Sequence, residues 1–314
     1  MKKTIANIDQ RILQTLAYFD VFSYPLTKDE LISYTVALPE EKELAEITLG
    51  ELVSSGLVRS QQGFFYLGNH PWKVNRRIAG NKRARVRFRA ARFYSRIISY
   101  FPFVRGVFLT GSISKGFMSY KDDIDYFIVT SPGRLWTVRT MLTLFKKIFL
   151  LNSHRNFCIN YFLDENHLHV EEKNRFTATE LAFIVPIYGN EAYLNILDQN
   201  QWVNAYYPFF KPGHTSLMRT SRPIIKRIME FAIKARLFDS IERYLLSSSK
   251  NYIQKKYAHM DQAAFDYAFS ILPHELIYLP NRQQNTIMHR FKKKINELNQ
   301  HVKSQKNPEY NHFG

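Results

Sequence analysis

The residues best suited to chemistry lie in one stretch, LTGSISKGFMSYKDDIDYFIV, residues 109–129. A short β-rich segment, Val104 to Thr110, runs into Gly111-Ser112, and ten residues later Asp123-Ile124-Asp125 opens a second strand pattern. Alternate side chains of a strand share a face, so Asp123 and Asp125 stand together, with Ile124, Tyr126 and Ile128 opposite. Two carboxylates so placed repel one another unless a cation lies between them. Oxygen ligands suit Mg²⁺, with Mn²⁺ as the alternative, typically held by one or two carboxylates plus substrate phosphates. The Gly111-Ser112 turn offers what phosphates need: glycine lets the backbone approach closely, and backbone N–H groups and the Ser112 hydroxyl can hold phosphate oxygens. Lys115, in the loop, either adds a point charge to those phosphates or is simply solvated. Asp122 breaks the alternation and is expected to face away from the pair.

The Gly-Ser turn, the ten-residue interval and the Asp-x-Asp strand together resemble the DNA polymerase β-like nucleotidyltransferase superfamily. Gly111, Ser112, Asp123 and Asp125 stand in its hallmark places, over a core of about 60 residues. The resemblance implies a small mixed sheet backed by helices, with Asp123 and Asp125 as metal ligands and Gly111, Ser112 and Lys115 as nucleotide-binding residues. It also implies transfer of a nucleoside monophosphate from an NTP to an acceptor hydroxyl with release of pyrophosphate. The superfamily usually adds a third carboxylate on a later strand. Here the next strand pattern, Phe157 to Leu163, carries Asn160 at that place. Asparagine can offer a neutral oxygen but cannot act as a base at pH 7. Asp164 is on the same face about 13 Å further at strand rise, and Glu171 and Glu172 lie beyond. Three readings stay open: Asn160 serves a reduced one-metal site, another carboxylate substitutes, or the protein is a catalytically degenerate nucleotide- or nucleic-acid-binding protein.

The elements around this stretch fall into zones: 1–72, 73–220 and 221–314. In the first, apolar residues from Ile8 to Phe19 recur at helical spacing, and Thr27 with Glu30 forms a capping box for a second helix. A third helix is expected from about Glu40 to Ser55, with Leu44, Ile47, Leu52 and Val53 facing inward and Gly56 ending it. A hairpin follows, with strands at Leu57–Ser60 and Phe64–Leu67. Three helices and a β-ribbon resemble a winged helix, and LAYFDVFSYPLTKDEL looks like the opening of that domain in a group of bacterial nucleotidyltransferase-like proteins. Its third helix carries Glu40, Glu41, Glu43, Glu46 and Glu51 against Lys42 alone. A DNA-reading helix needs cations or amides on that face, so the unit is expected to contact protein rather than DNA.

Lys73 to Arg96 holds ten Lys or Arg and no acid. It reads as a helix with an apolar stripe of Val86, Ala90, Phe93, Ile97 and Ile98. Its charge suggests either a solvated face or a polyanionic partner: nucleic acid, nucleotide phosphates or an acidic membrane surface. Gly133 to Leu151 reads as an amphipathic helix whose Arg134 and Arg139 form a solvated flank or reach a phosphate. Glu180 reads as a helix cap, and the pair His167 and His169 as surface residues. From Pro223 on the pattern is helical, with apolar residues at 3–4 spacing, a basic cluster at Arg290 to Lys294 and a polar tail. The fold class expected is therefore α+β: a winged helix, a small mixed-sheet core and a helical C-terminal domain.

The whole chain has 314 residues and a net charge of +17. Its 45% hydrophobic and 23% charged residues exclude wholesale disorder. One cysteine, Cys158, rules out an internal disulfide and a multi-cysteine zinc site, and fits a reducing, cytoplasmic setting. No secretory signal or membrane-spanning run is apparent.

Overall fold

A computed structural model describes residues 7–208, 224–232, 237–280 and 282–306. Pro223 and residues 233–236 of the expected C-terminal helix, and the end of the polar tail, lie outside them. The described residues are mixed α+β and form two sheets.

The chain opens with α1 (Ile8–Asp20), β1 (Leu26–Thr27), α2 (Lys28–Thr35), α3 (Glu41–Ser54), β2 (Arg59–Gln61) and β3 (Phe64–Tyr66). The capping box forms as the sequence requires: the Thr27 side chain accepts from the Glu30 N–H while Glu30 accepts from the Thr27 N–H. Gln62 and Gly63 take left-handed backbone angles and close the hairpin. The first hairpin strand falls one to two residues later than expected and the second ends one residue earlier, and β1 adds a third strand, giving the order β1-β3-β2. The inward face of α3 differs in part. Leu52 is buried and Val53 partly buried as expected, but Leu44 and Ile47 are exposed, and Ala45, Thr48 and Leu49 are buried in their place. Leu49 and Leu52 share their face with Ala45 and Thr48 at 3–4 spacing, and the small side chains let α3 pack closely on α1.

Next come α4 (Trp72–Ser99), β4 (Val104–Thr110), α5 (Gly111–Ser114), β5 (Asp125–Thr130), α6 (Leu135–Phe149), β6 (Cys158–Asp164), α7 (Arg175–Ala182), β7 (Val185–Tyr188) and α8 (Asn190–Gln199). They are followed by α9 (Ile224–Ala232), α10 (Leu237–Lys256), α11 (Gln262–Ala268), β8 (Phe269–Ile271), β9 (Glu275–Tyr278) and α12 (Gln284–Lys306). The large sheet has the order β7-β4-β5-β6-β9-β8, antiparallel except for the parallel pair β5 and β6 that α6 connects. The segment from 221 onward, expected to be helical, thus also supplies two strands. Phe269 and Ile271 pair with Tyr278 and Leu276 around a turn containing Pro273, and β9 extends the sheet beside β6.

Both faces of this sheet are covered. Ile124, Tyr126 and Ile128 join one core with side chains from α4, α6 and α10, while Phe127 and Val129 join the other with Leu181, Tyr193 and Ile196 from α7 and α8. The helix α4 uses the stripe read from its sequence only in part: Ile98 is buried and Ala90 packs against the core, but Val86 and Phe93 are exposed. It buries Gly80, Ala84, Ala91, Ser95 and Ile98, which recur at three-, four- and seven-residue intervals. Small side chains bring this helix close to the core; a Cβ on Gly80 would sit 2.1 Å from the Phe117 ring.

A third core joins α1, α2 and α3 to α7 and, at its edge, to α12 through Phe291 and Ile295. Asp20, at the end of α1, is buried between Lys73 of α4 and Lys294 of α12 and ion-pairs with both. The N-terminal unit is therefore held to the rest of the chain by charge as well as by apolar packing.

Candidate active site

Asp125 is the first residue of β5 and pairs with Thr110 on β4 and with Cys158 on β6. Asp123 lies two residues before the strand. The segment remains tied to its neighbours, with Ile124 N–H donating to the Arg155 carbonyl at 3.1 Å and Cys158 N–H donating to the Ile124 carbonyl at 3.1 Å. Burial, and then the charge of Asp123, push the Asp125 carboxyl up to about 7.

Gly111 sits directly over that carboxylate. Its backbone is left-handed, with φ of +67°, and a Cβ built on it would lie 2.6 Å from Asp125 Oδ2. Both the angle and the space therefore require glycine. The other oxygen, Asp125 Oδ1, accepts from Asn160 Nδ2 at 3.0 Å, and Asn160 Oδ1 accepts from the Cys158 thiol at 3.4 Å. Asn160 falls where the β5–β6 register shifts between Tyr126 and Phe127, so the irregularity swings its amide toward Asp125. Ser112, half-buried beside Gly111, leaves its hydroxyl without a hydrogen-bond partner among the described residues.

Lys115 is neither solvated nor aimed at open space. Its Nζ donates to the Gly111 carbonyl at 3.1 Å and to Glu180 Oε1 at 2.9 Å. It braces the turn from the side of α7. Glu180 correspondingly is not a helix cap: Asn174 caps α7 through the Thr177 N–H, and Glu180 lies in the last turn, where its charge also acts on Asp125. Sequence reading missed this pairing because the two residues are 65 positions apart and no local pattern links them.

The carboxylates considered as a substitute third ligand are elsewhere. Asp164 pairs opposite Thr130, at the far end of the strands, and accepts from Asn166 and His167. Glu172 binds Arg282 and Gln284. Asp122 turns away, as expected, and closes a local turn on Ser119. His167 and His169 go to separate partners, Asp164 and the Gln199 carbonyl. Among the described residues no cluster of three or more His, Cys, Asp or Glu could by itself hold a metal ion.

The basic run of α4 is divided. Lys73 pairs with Asp20, Arg77 with Glu30 at 2.6 Å while lying over the Tyr24 ring, and Arg76, Arg83 and Arg87 donate to backbone carbonyls. Lys82, Arg85, Arg89, Arg92 and Arg96 remain exposed. Arg134 pairs with Asp239, and Arg139, expected on a solvated flank, lines a cavity. No helix among the described residues is long and apolar enough to cross a membrane. Compared with family models, curated proteins and solved structures, the chain matches none of them.

Proposed function

We propose that the protein is a Mg²⁺-dependent nucleotidyltransferase that moves a nucleoside monophosphate from an NTP to an acceptor hydroxyl and releases pyrophosphate. The observation that carries this reading is the Gly111–Asp125 contact: a turn suited to phosphates is pressed onto a buried carboxylate that has a second carboxylate beside it. The donor set fits a hard cation. It consists of oxygens, it includes two carboxylates, and no Lys or Arg neutralises either of them by an ion pair among the described residues. With phosphates completing the sphere, two protein carboxylates suffice for one Mg²⁺.

Bound there, Mg²⁺ would neutralise charge on the α-phosphate and on the departing pyrophosphate. The chain's own residues do the rest. Asn160 fixes Asp125 Oδ1, which leaves Oδ2 under the turn. The Ser112 hydroxyl and the backbone at Gly111 orient phosphate oxygens, while Lys115 and Glu180 hold the turn in place. Asn160 supplies no base, so the reading is of a one-metal site.

The three helices and the β1-β3-β2 sheet support a winged-helix-like module at the N-terminus. Leu44 and Ile47 are exposed among the glutamates of α3, which favours a protein contact over DNA. The exposed cations of α4 leave nucleic acid or another polyanion open as acceptor, and a cytoplasmic setting suits the single cysteine.

Incubation with Mg²⁺, α-labelled NTPs and candidate acceptors tests the proposal. Metal-dependent transfer that disappears in Asp123→Ala/Asp125→Ala supports it. NTP binding with no turnover toward any acceptor favours the second reading, a degenerate binding protein, for which Asn160 in place of a carboxylate speaks.

A further inference from the structure

A cavity of about 450 Å³ opens between α6, β6, α10 and β9, next to the aspartate pair. Its walls carry Arg139, Lys146, Lys147 and Lys256 together with His154, and none of the described side chains that line it is a carboxylate. None of these four cations makes an ion pair among the described residues. Their polar contacts are neutral: Arg139 Nη1 donates to Ser249 Oγ at 2.9 Å, Lys256 Nζ to the Tyr278 hydroxyl at 3.0 Å, and Lys146 Nζ lies 3.4 Å from His154 Nδ1. Burial pushes Arg139 and Lys146 down from their ordinary values, so holding these charges here costs free energy that no ion pair among the described residues offsets.

Like charges gathered in one recess are stabilised by an anion that enters it. The volume suits a small molecule and is too small for a macromolecule, and several cations around one space match a phosphate better than a single carboxylate. Asn160 gives the cavity its address, because it lines the wall and also donates to Asp125.

We propose that this cavity binds a small phosphate-bearing molecule, anchoring its phosphate on Lys146, Lys256 and Arg139 while its hydroxyl end reaches the Asp123–Asp125 site past Asn160. The first half stands on the cavity alone, and the acceptor role rests on the nucleotidyl-transfer reading above. In that role a bond forms between the acceptor oxygen and the α-phosphorus, the bond from the α-phosphorus to the bridging oxygen breaks, pyrophosphate leaves with its electron pair, and the hydroxyl proton passes to water.

Inorganic pyrophosphate, titrated calorimetrically in EDTA, probes the cavity separately from any metal–nucleotide site. One equivalent should bind, about tenfold more weakly in Lys146→Gln/Lys256→Gln, and unchanged in Asp123→Asn/Asp125→Asn and in Arg85→Gln/Arg89→Gln on the outer face of α4. Protection of Lys146 and Lys256 from acetylation by pyrophosphate, mapped by mass spectrometry on the wild-type protein, gives the same answer without a variant. Absence of binding, equal binding to the lysine variant, or loss in the α4 variant overturns the proposal. If pyrophosphate binding fails while Mg²⁺-dependent NTP binding persists, the cavity assignment falls and the nucleotidyl-transfer reading stands. The converse pattern removes the acceptor role and leaves the anion site.

Discussion

Asp125 and Gly111 set the terms at the scale of single residues. A Cβ at Gly111 would have to displace the Asp125 carboxylate and also adopt a left-handed backbone. Gly111→Ala should therefore cost about 1–3 kcal/mol in urea denaturation, and it should abolish metal-dependent nucleotide binding with little change elsewhere. Asp125 also makes stability depend on pH. Its folded carboxyl titrates at about 7, well above the ordinary carboxylate range, so between roughly pH 4 and 7 the folded chain holds a proton that the unfolded chain has lost. Its contribution is full below pH 4, falls as pH rises through 7 and is level above. Melting temperatures taken in EDTA should show that decline in the wild-type protein and a shallower one in Asp125→Asn. The Gly-Ser and Asp-x-Asp pattern was legible in the sequence because glycine and alternating carboxylates act locally. The roles of Lys115 and Glu180 were not, because their pairing exists only once α7 has docked beside the turn.

Among the elements, α4 shows most plainly what periodicity can and cannot deliver. Its length was readable from Lys73 to Tyr100, and the helix spans Trp72–Ser99. Its buried face was readable only at Ala90 and Ile98, because glycine, alanine and serine form most of the contact while the larger Val86 and Phe93 stay outside. Large apolar residues misled in the same way in α3, whose Leu44 and Ile47 are exposed. The charge of α4 is likewise split between structure and solvent. Arg77→Gln removes a buried pair with Glu30 and should cost about 2–3 kcal/mol. The triple change Arg85→Gln/Arg89→Gln/Arg92→Gln touches exposed positions and should leave the melting temperature nearly unchanged. Equal losses in the two proteins would show that the cations of this helix are not partitioned in this way. The strands β8 and β9 were hidden for another reason: at three and four residues they are too short to show a period, and pairing against β6 defines them.

For the molecule as a whole, the excess of positive charge first suggests a nucleic-acid surface, and its placement argues for a narrower use. Lys73 and Lys294 converge on Asp20 and hold the first and last elements together, while Arg139, Lys146, Lys147 and Lys256 line a recess beside the aspartate pair. Asp20→Ala leaves two cations facing a buried space without their counter-charge. It should lower global stability by about 3 kcal/mol, read as a single shifted transition in urea; a separate early transition of the N-terminal unit would show that the unit is not coupled to the remainder. The central claim is that Asp123, Asp125 and the Gly111-Ser112 turn form one metal–nucleotide site. It is tested most directly by electron paramagnetic resonance of Mn²⁺ titrated into the protein with a non-hydrolysable NTP. One Mn²⁺ bound per chain, dependent on the nucleotide and lost in Asp123→Ala/Asp125→Ala, is the expected result; nucleotide binding that needs no metal and survives that double substitution would contradict it.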